Sequence, residues 1–254
     1  MNESDAARRT LPLLDLTSLN DDDDSAAIDR LCGRAVGSLV RVAAVCVWPQ
    51  FIAQCRETLA GSGVRIATVA NFPAGALDPA GAVAEVQAAV TAGADEVDLV
   101  LPYAAWLDGQ RAAAGELVAA CKQASGPERI LKVILESGRL RSADNIAGAS
   151  RDAIAAGADF LKTSTGKTEV SATLSAAEIM LTAIKQSGLR VGFKAAGGLR
   201  TTMQAAAYLA LAEQIMGPGW AAPHTFRFGA SSLLDDLLAD LGMARASGPG
   251  NKGY

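Results

Sequence analysis

The chain has 254 residues, half of them hydrophobic, with 25 Gly and a formal net charge of −4. That length and composition suit one large α/β domain spanning 1–254 better than two small ones. An acidic net charge and the lack of a Lys/Arg cluster argue against a nucleic-acid partner, and without an apolar run of about 18 residues no membrane span is expected.

Residues 1–10 are polar and read as a lead-in. Leu11–Thr17 is an apolar run and a candidate first strand. Asn20–Asp24 precedes a helical pattern at Ile28, Leu31, Cys32 and Ala35, a position that suits capping and the helix dipole better than a metal site. Strands follow at Val42–Val47, Arg65–Ala70, Glu96–Leu101, Leu131–Glu136, Phe160–Ser164, Val191–Ala195 and Thr225–Phe228. Helices are expected at about 51–59, 79–92, 109–124, 142–156, 175–187, 202–215 and from Ser232 to about Leu241. The tail from Ser247 is Gly-rich and reads as mobile.

The strands are continuous apolar runs, as in a parallel sheet covered on both faces. Eight β/α units in this length point to a (β/α)₈ TIM barrel. Ala92-Gly93-Ala94-Asp95 and Ala156-Gly157-Ala158-Asp159 form a partial internal echo, each at a helix end just before a strand. A doubly wound sheet is the alternative, but its usual G-x-G-x-x-G is missing: Gly61-Ser62-Gly63 precedes a strand and has Ile66 where the third Gly belongs.

The lone histidine, His224, makes zinc hydrolases and Ser-His-Asp chemistry improbable, since both draw on histidine and no G-x-S-x-G elbow is present. Cys32, Cys46, Cys55 and Cys121 form no C-x-x-C pair, and no secretory leader pattern opens the chain. Reduced thiols in a cytoplasmic protein are therefore expected.

Among the polar residues inside the strands are Asp15, Asp98, Lys132, Lys162 and Lys194. In a barrel they converge on the C-terminal mouth, where active sites lie. One such lysine alone would snorkel or pair with a carboxylate. Three lysines and two aspartates in the strands of one barrel point to a site. Lys162, flanked by Phe160 and Leu161, is the candidate Schiff-base nucleophile, because desolvation lowers the pKa of a buried lysine. Lys194 is the second cation that depresses it further. Asp98 is the candidate proton relay.

Three Gly-containing loops suggest a phosphate site: Gly166-Lys167, Gly197-Gly198 with Arg200, and Gly229-Ala230-Ser231-Ser232. The same glycines also suit plain turns and packing. Gly166-Lys167-Thr168 imitates the end of a P-loop, but Leu161 occupies the position of the first Gly.

Several motifs, in order, resemble the class I (Schiff-base) deoxyribose-phosphate aldolase family. They include Leu14–Asn20, Ala70–Pro73, Gly93–Tyr103, Leu131–Glu136, Gly157–Thr168, Gly192–Lys194 and Phe226–Ser232. The resemblance implies reversible cleavage of 2-deoxy-D-ribose 5-phosphate to D-glyceraldehyde 3-phosphate and acetaldehyde, without cofactor or metal. It implies Lys162 as the Schiff-base lysine, Lys194 and Asp98 in the proton relay, and Lys132 as a supporting lysine. Asp15 and Thr17 fall near the substrate hydroxyls. Gly166, Lys167, Gly197, Gly198, Arg200, Gly229, Ser231 and Ser232 fall in the phosphate loops. Cys46 matches a thiol beside the site, and Tyr254 a C-terminal tyrosine that aids proton transfer. Analogy with relatives gives a homodimer. Ala195 and Arg139 depart from the family pattern, where Pro and an acid are common. A transaldolase-like Schiff-base enzyme and a catalytically silent phosphosugar-binding barrel are the rival functions.

Overall fold

A computed structural model describes residues 2–37 and 40–243. Among them, eight strands close into one parallel barrel in sequence order, and β8 returns to pair with β1. The strands are β1 (Leu14–Thr17), β2 (Ala44–Cys46), β3 (Arg65–Ala70), β4 (Glu96–Val100), β5 (Ile130–Ile134), β6 (Phe160–Lys162), β7 (Gly192–Ala196) and β8 (Phe226–Ala230). Almost every strand residue is buried, which is why the runs are apolar rather than alternating. The (β/α)₈ expectation holds, with differences at the edges. Leu11–Leu13 is a 3₁₀ turn and not part of β1; Pro12 cannot donate to a ladder but fits a helical start. The lead-in is a full helix, α1 (Glu3–Thr10), capped by the Asn2 side chain. β6 ends at Lys162, two residues before the expected Ser164. The tail and Tyr254 lie outside the described residues.

The remaining helices are α2 (Ser25–Ala35), α3 (Ile52–Thr58), α4 (Pro79–Ala92), α5 (Tyr103–Leu107), α6 (Arg111–Ser125), α7 (Ser137–Leu140), α8 (Ala143–Ala155), α9 (Leu174–Ser187), α10 (Thr202–Met216) and α11 (Leu233–Asp240). The short α5 and α7 were not foreseen. The Asp run caps, as expected: Asp24 accepts from Ala27 N–H at the start of α2, and Asp23 accepts from the Asn20 N–H and the Ser18 hydroxyl.

The Gly-Ala-Asp echo has one structural meaning in both copies. Gly93 and Gly157 sit at φ +102° and +95°, ending a helix in a conformation that favours Gly. The following Asp then ties down the start of the neighbouring strand. Asp95 accepts from Ile66 N–H at 2.9 Å, and Asp159 from Leu131 N–H at 2.7 Å. Each carboxylate also holds a cation from the preceding helix pair, Arg56 or Lys122.

Candidate active site

Side chains alternate along a strand, so Glu96 and Asp98 share one face of β4, which points into the barrel. Lys132, Lys162, Lys194 and Arg227 enter from β5, β6, β7 and β8, and Asp15 from β1. Strand register aligns Asp98 with Lys132, Lys162 with Lys194, and Lys194 with Arg227. The sequence-expected group of Asp15, Asp98, Lys132, Lys162 and Lys194 is therefore one cluster.

Asp98 is its centre. Its Oδ1 accepts from Lys132 Nζ at 2.8 Å, and its Oδ2 accepts from both Lys162 Nζ and Lys194 Nζ at 2.8 Å. Lys194 also donates to Asp15 Oδ2 at 2.6 Å. Lys132 reaches Glu96 at 2.6 Å and Asp15 at 3.7 Å. Arg227 spans the floor, donating to Asp15 Oδ1 at 2.5 Å and to Glu96 Oε1 at 2.8 Å. Glu96 and Arg227 were not foreseen as site residues. Their signal was present: an acid two residues before Asp98, and an arginine between Phe226 and Phe228 in a strand.

Charge counting explains the protonation pattern. Inside the barrel four cations, Lys132, Lys162, Lys194 and Arg227, face three carboxylates, Asp15, Glu96 and Asp98, while the half-exposed Arg65 reaches Glu96 only from the solvent side at 3.5 Å. A buried excess charge is expensive, so the pKa of one lysine is pushed down toward the free amine. Lys162 is the one. Burial lowers its pKa, Lys194 lowers it further, and Asp98 only partly offsets them. Burial also acts on Lys132 and Lys194, but their carboxylates outweigh it and raise both. Burial would raise the Asp98 carboxyl, yet Lys132, Lys162 and Lys194 together hold it well below the usual range. Asp15 is depressed likewise, with Lys194 and Arg227 overriding the burial penalty. Lys162 alone of the three lysines is not wholly enclosed, at 3% exposure against 0% for Lys132 and Lys194. The lysine shifted toward the free amine is thus also the one that a substrate can reach.

The opposite wall, from β2 and β3, is small and apolar: Ala44, Cys46, Ala67 and Val69 with Leu19, backed by Trp48 and Phe72. The Cys46 thiol is pushed up by burial and by Asp98, so it is held as the thiol and not as a reactive thiolate. Thr17 sits at the end of β1, its hydroxyl donating to Asp15 O at 2.8 Å.

The glycine loops follow β6, β7 and β8, three neighbours in the barrel. Gly166, Gly197 and Gly198 are in left-handed turns, Lys167 and Arg200 are exposed beside them, and Ser231 and Ser232 lead into α11. Lys167 Nζ donates to Leu19 O at 2.8 Å, joining the β6 loop to the β1 loop. Gly229 differs from the expected loop position. It lies inside β8, and a Cβ there would stand 2.9 Å from Lys194 Cε and 3.0 Å from Ala196 Cβ. Its bareness makes room for the Lys194 side chain. Glu136, also unforeseen, is buried at φ +53° and accepts from the Thr165 hydroxyl at 2.5 Å and the Thr168 hydroxyl at 3.1 Å, which fixes the loop carrying Gly166 and Lys167. Ala195 is buried in β7 and Arg139 is exposed in α7.

Fold and interior together define a class: a closed parallel barrel whose chemistry-bearing side chains gather on the inner faces of its strands. A family model described as "DeoC/LacD family aldolase" matches residues 10–239. The chain belongs to that family of aldolases. A deoxyribose-phosphate aldolase of Agrobacterium fabrum (strain C58) is 53% identical over 235 residues, 92% of this chain and 91% of that protein. A crystal structure from Toxoplasma gondii ME49, provisionally named a deoxyribose-phosphate aldolase, superposes with a TM-score of 0.88 at 24% identity, covering 94% of this chain and 95% of that one. The tetrameric deoxyribose phosphate aldolase of Aeropyrum pernix superposes with a TM-score of 0.73 at 24% identity, covering 94% and 92%. No described helix is long and apolar enough to cross a membrane.

Proposed function

We propose that this chain is a class I aldolase that reversibly cleaves 2-deoxy-D-ribose 5-phosphate to D-glyceraldehyde 3-phosphate and acetaldehyde. The observation that carries the reading is the opposite fate of the buried lysines: Lys162 is lowered toward the free amine, while Lys132 and Lys194 are held as cations. The 53% identical relative supports the choice of substrate.

In this reading the Lys162 amine adds to C1 of the open-chain aldehyde, and loss of water leaves an iminium. The C3 hydroxyl gives up its proton, the C2–C3 bond breaks, and its electron pair flows into the iminium to form an enamine. Glyceraldehyde 3-phosphate leaves. Protonation of the enamine at C2 and hydrolysis release acetaldehyde and restore the amine. Asp98, bonded to both Lys162 and Lys194, is placed to move these protons. Asp15 holds Lys194 as a cation, Lys132 holds Asp98, and Thr17 borders the sugar hydroxyls. Gly166, Lys167, Gly197, Gly198, Arg200, Ser231 and Ser232 receive the phosphate, and Gly229 gives Lys194 its room. Tyr254 aids proton transfer, as the family resemblance implies. The chain acts as one domain in the cytoplasm, as a homodimer.

Borohydride reduction with substrate, followed by mass spectrometry, tests nucleophile and substrate together. A reduced adduct on Lys162 is expected, with turnover lost by several orders of magnitude in Lys162→Ala. An adduct on Lys194, or none, sinks the reading. A panel of phosphorylated acceptors separates it from a transaldolase-like enzyme.

A further inference from the structure

At the end of the barrel opposite the mouth, the starts of β3, β4 and β5 surround a cleft of about 660 Å³. That is the size of a small-molecule site. Three arginines line it, Arg56, Arg65 and Arg129, together with Asp95, Glu128 and an apolar wall that includes Leu59 and Val64. Their partners differ. Arg56 is occupied by Asp95 and the Gly93 carbonyl, and Asp95 in turn by Ile66 N–H. Arg65 reaches only Glu96, at 3.5 Å, and its side chain stays 47% exposed. The Arg129 Nε–H is shut off from solvent and has no hydrogen-bond partner among the described residues. An unmade hydrogen bond of this kind costs about 1–3 kcal/mol, more for a charged group, so the Arg129 side chain gains by turning that N–H toward an acceptor in the cleft.

We infer that this cleft is a second ligand site, which takes a small phosphate-bearing anion between Arg65 and Arg129. Guanidinium forks match phosphate oxygens two at a time. The Asp95 charge is already neutralised by Arg56, so the cleft presents two cations against Glu128, which lies exposed on its rim. The Leu59 and Val64 wall fits an apolar or planar body attached to the phosphate. These residues touch the lysine cluster only where Arg65 reaches Glu96, and the site stands whether or not the substrate assigned above is correct.

Pyrophosphate is the probe, followed by equilibrium dialysis. The mouth loops also attract phosphate, so the measurement is made in a Lys167→Gln/Arg200→Gln background that removes their cations. About one pyrophosphate per chain is expected to remain bound. Adding Arg129→Gln should weaken it about tenfold or more, and Arg129→Lys, which keeps the charge but not the fork, by less. Arg129→Gln in the otherwise unaltered chain should keep full turnover, which certifies its fold. No binding in the background protein overturns the inference, and so does binding that Arg129→Gln leaves unchanged.

Discussion

Lys132 and Lys162 are the same residue type on adjacent strands, both buried, and both bonded to Asp98 at 2.8 Å. Their protonation diverges because their surroundings differ below that shared contact. Lys132 sits on the floor among Asp98, Glu96 and Asp15, whose charges outweigh burial and raise it. Lys162 sits one level nearer the mouth with a single carboxylate, which it shares with Lys194. Burial alone is therefore not what makes a lysine a nucleophile here. What matters is whether the local carboxylates are already taken. The floor holds a saturated set of ion pairs, and the proton is held least firmly at the residue on the edge of that set.

The strongest way to break this contrast is to change the balance at Lys194. Lys194→Met leaves three carboxylates facing Lys132, Arg227 and Lys162, so Lys162 is then needed as a cation. Removing a like charge raises its pKa, and below that pKa each unit of rise costs about tenfold in free amine. The initial rate of borohydride trapping at pH 7 should fall by about tenfold or more and recover as pH is raised. In the unaltered chain the same rate should plateau below pH 10.5, the ordinary lysine value. A Lys194→Met profile that coincides with it would refute the charge-balance account.

Glu96→Gln should act in the opposite sense. It leaves Lys132, Lys194 and Arg227 facing two carboxylates, so Lys162 has still less reason to hold a proton. Trapping at neutral pH should survive while the fold suffers, because breaking a buried pair costs about 3–5 kcal/mol. Denaturant titration reads that loss. Lys132→Met in the same chain restores the count, so the double variant should be more stable than the sum of the two single losses implies. Strict additivity would mean that the floor is not one network.

How much of this was legible in the sequence follows from the same contrast. The barrel could be read because strands buried on both faces must be apolar, and a Lys or Asp inside such a run stands out. Lys162, Lys194, Asp98, Asp15 and Lys132 were found by that signal. Glu96 and Arg227 carried it too, but each sits near a strand start, where a charged residue also suits solvent. Only closure of the barrel turns them toward the floor. Glu136 ends the expected fifth strand, where a charged residue also suits solvent; its role depends on a positive φ and on a loop about 30 residues away. Gly229 was read as a loop glycine because Gly-Ala-Ser-Ser resembles an anion loop, whereas the need for a bare α-carbon comes from a side chain on β7.

Gly229 also offers the mildest test. Lys194 Cε is the far end of a flexible chain and would normally yield to a new methyl group at little cost. Here its ammonium is pinned by Asp15 at 2.6 Å and Asp98 at 2.8 Å, so yielding means leaving a carboxylate. Ala196 Cβ blocks the other direction. Gly229→Ala should therefore cost about 1–3 kcal/mol in stability, as overpacking does. It should lower kcat by about tenfold and move the acid limb of imine trapping upward, in the direction of Lys194→Met but by less. A variant that loses stability with an unmoved trapping profile would show that Lys194 can shift without releasing its hold on Lys162. The two lysines would then be coupled through Asp98 alone and not through the distance between them.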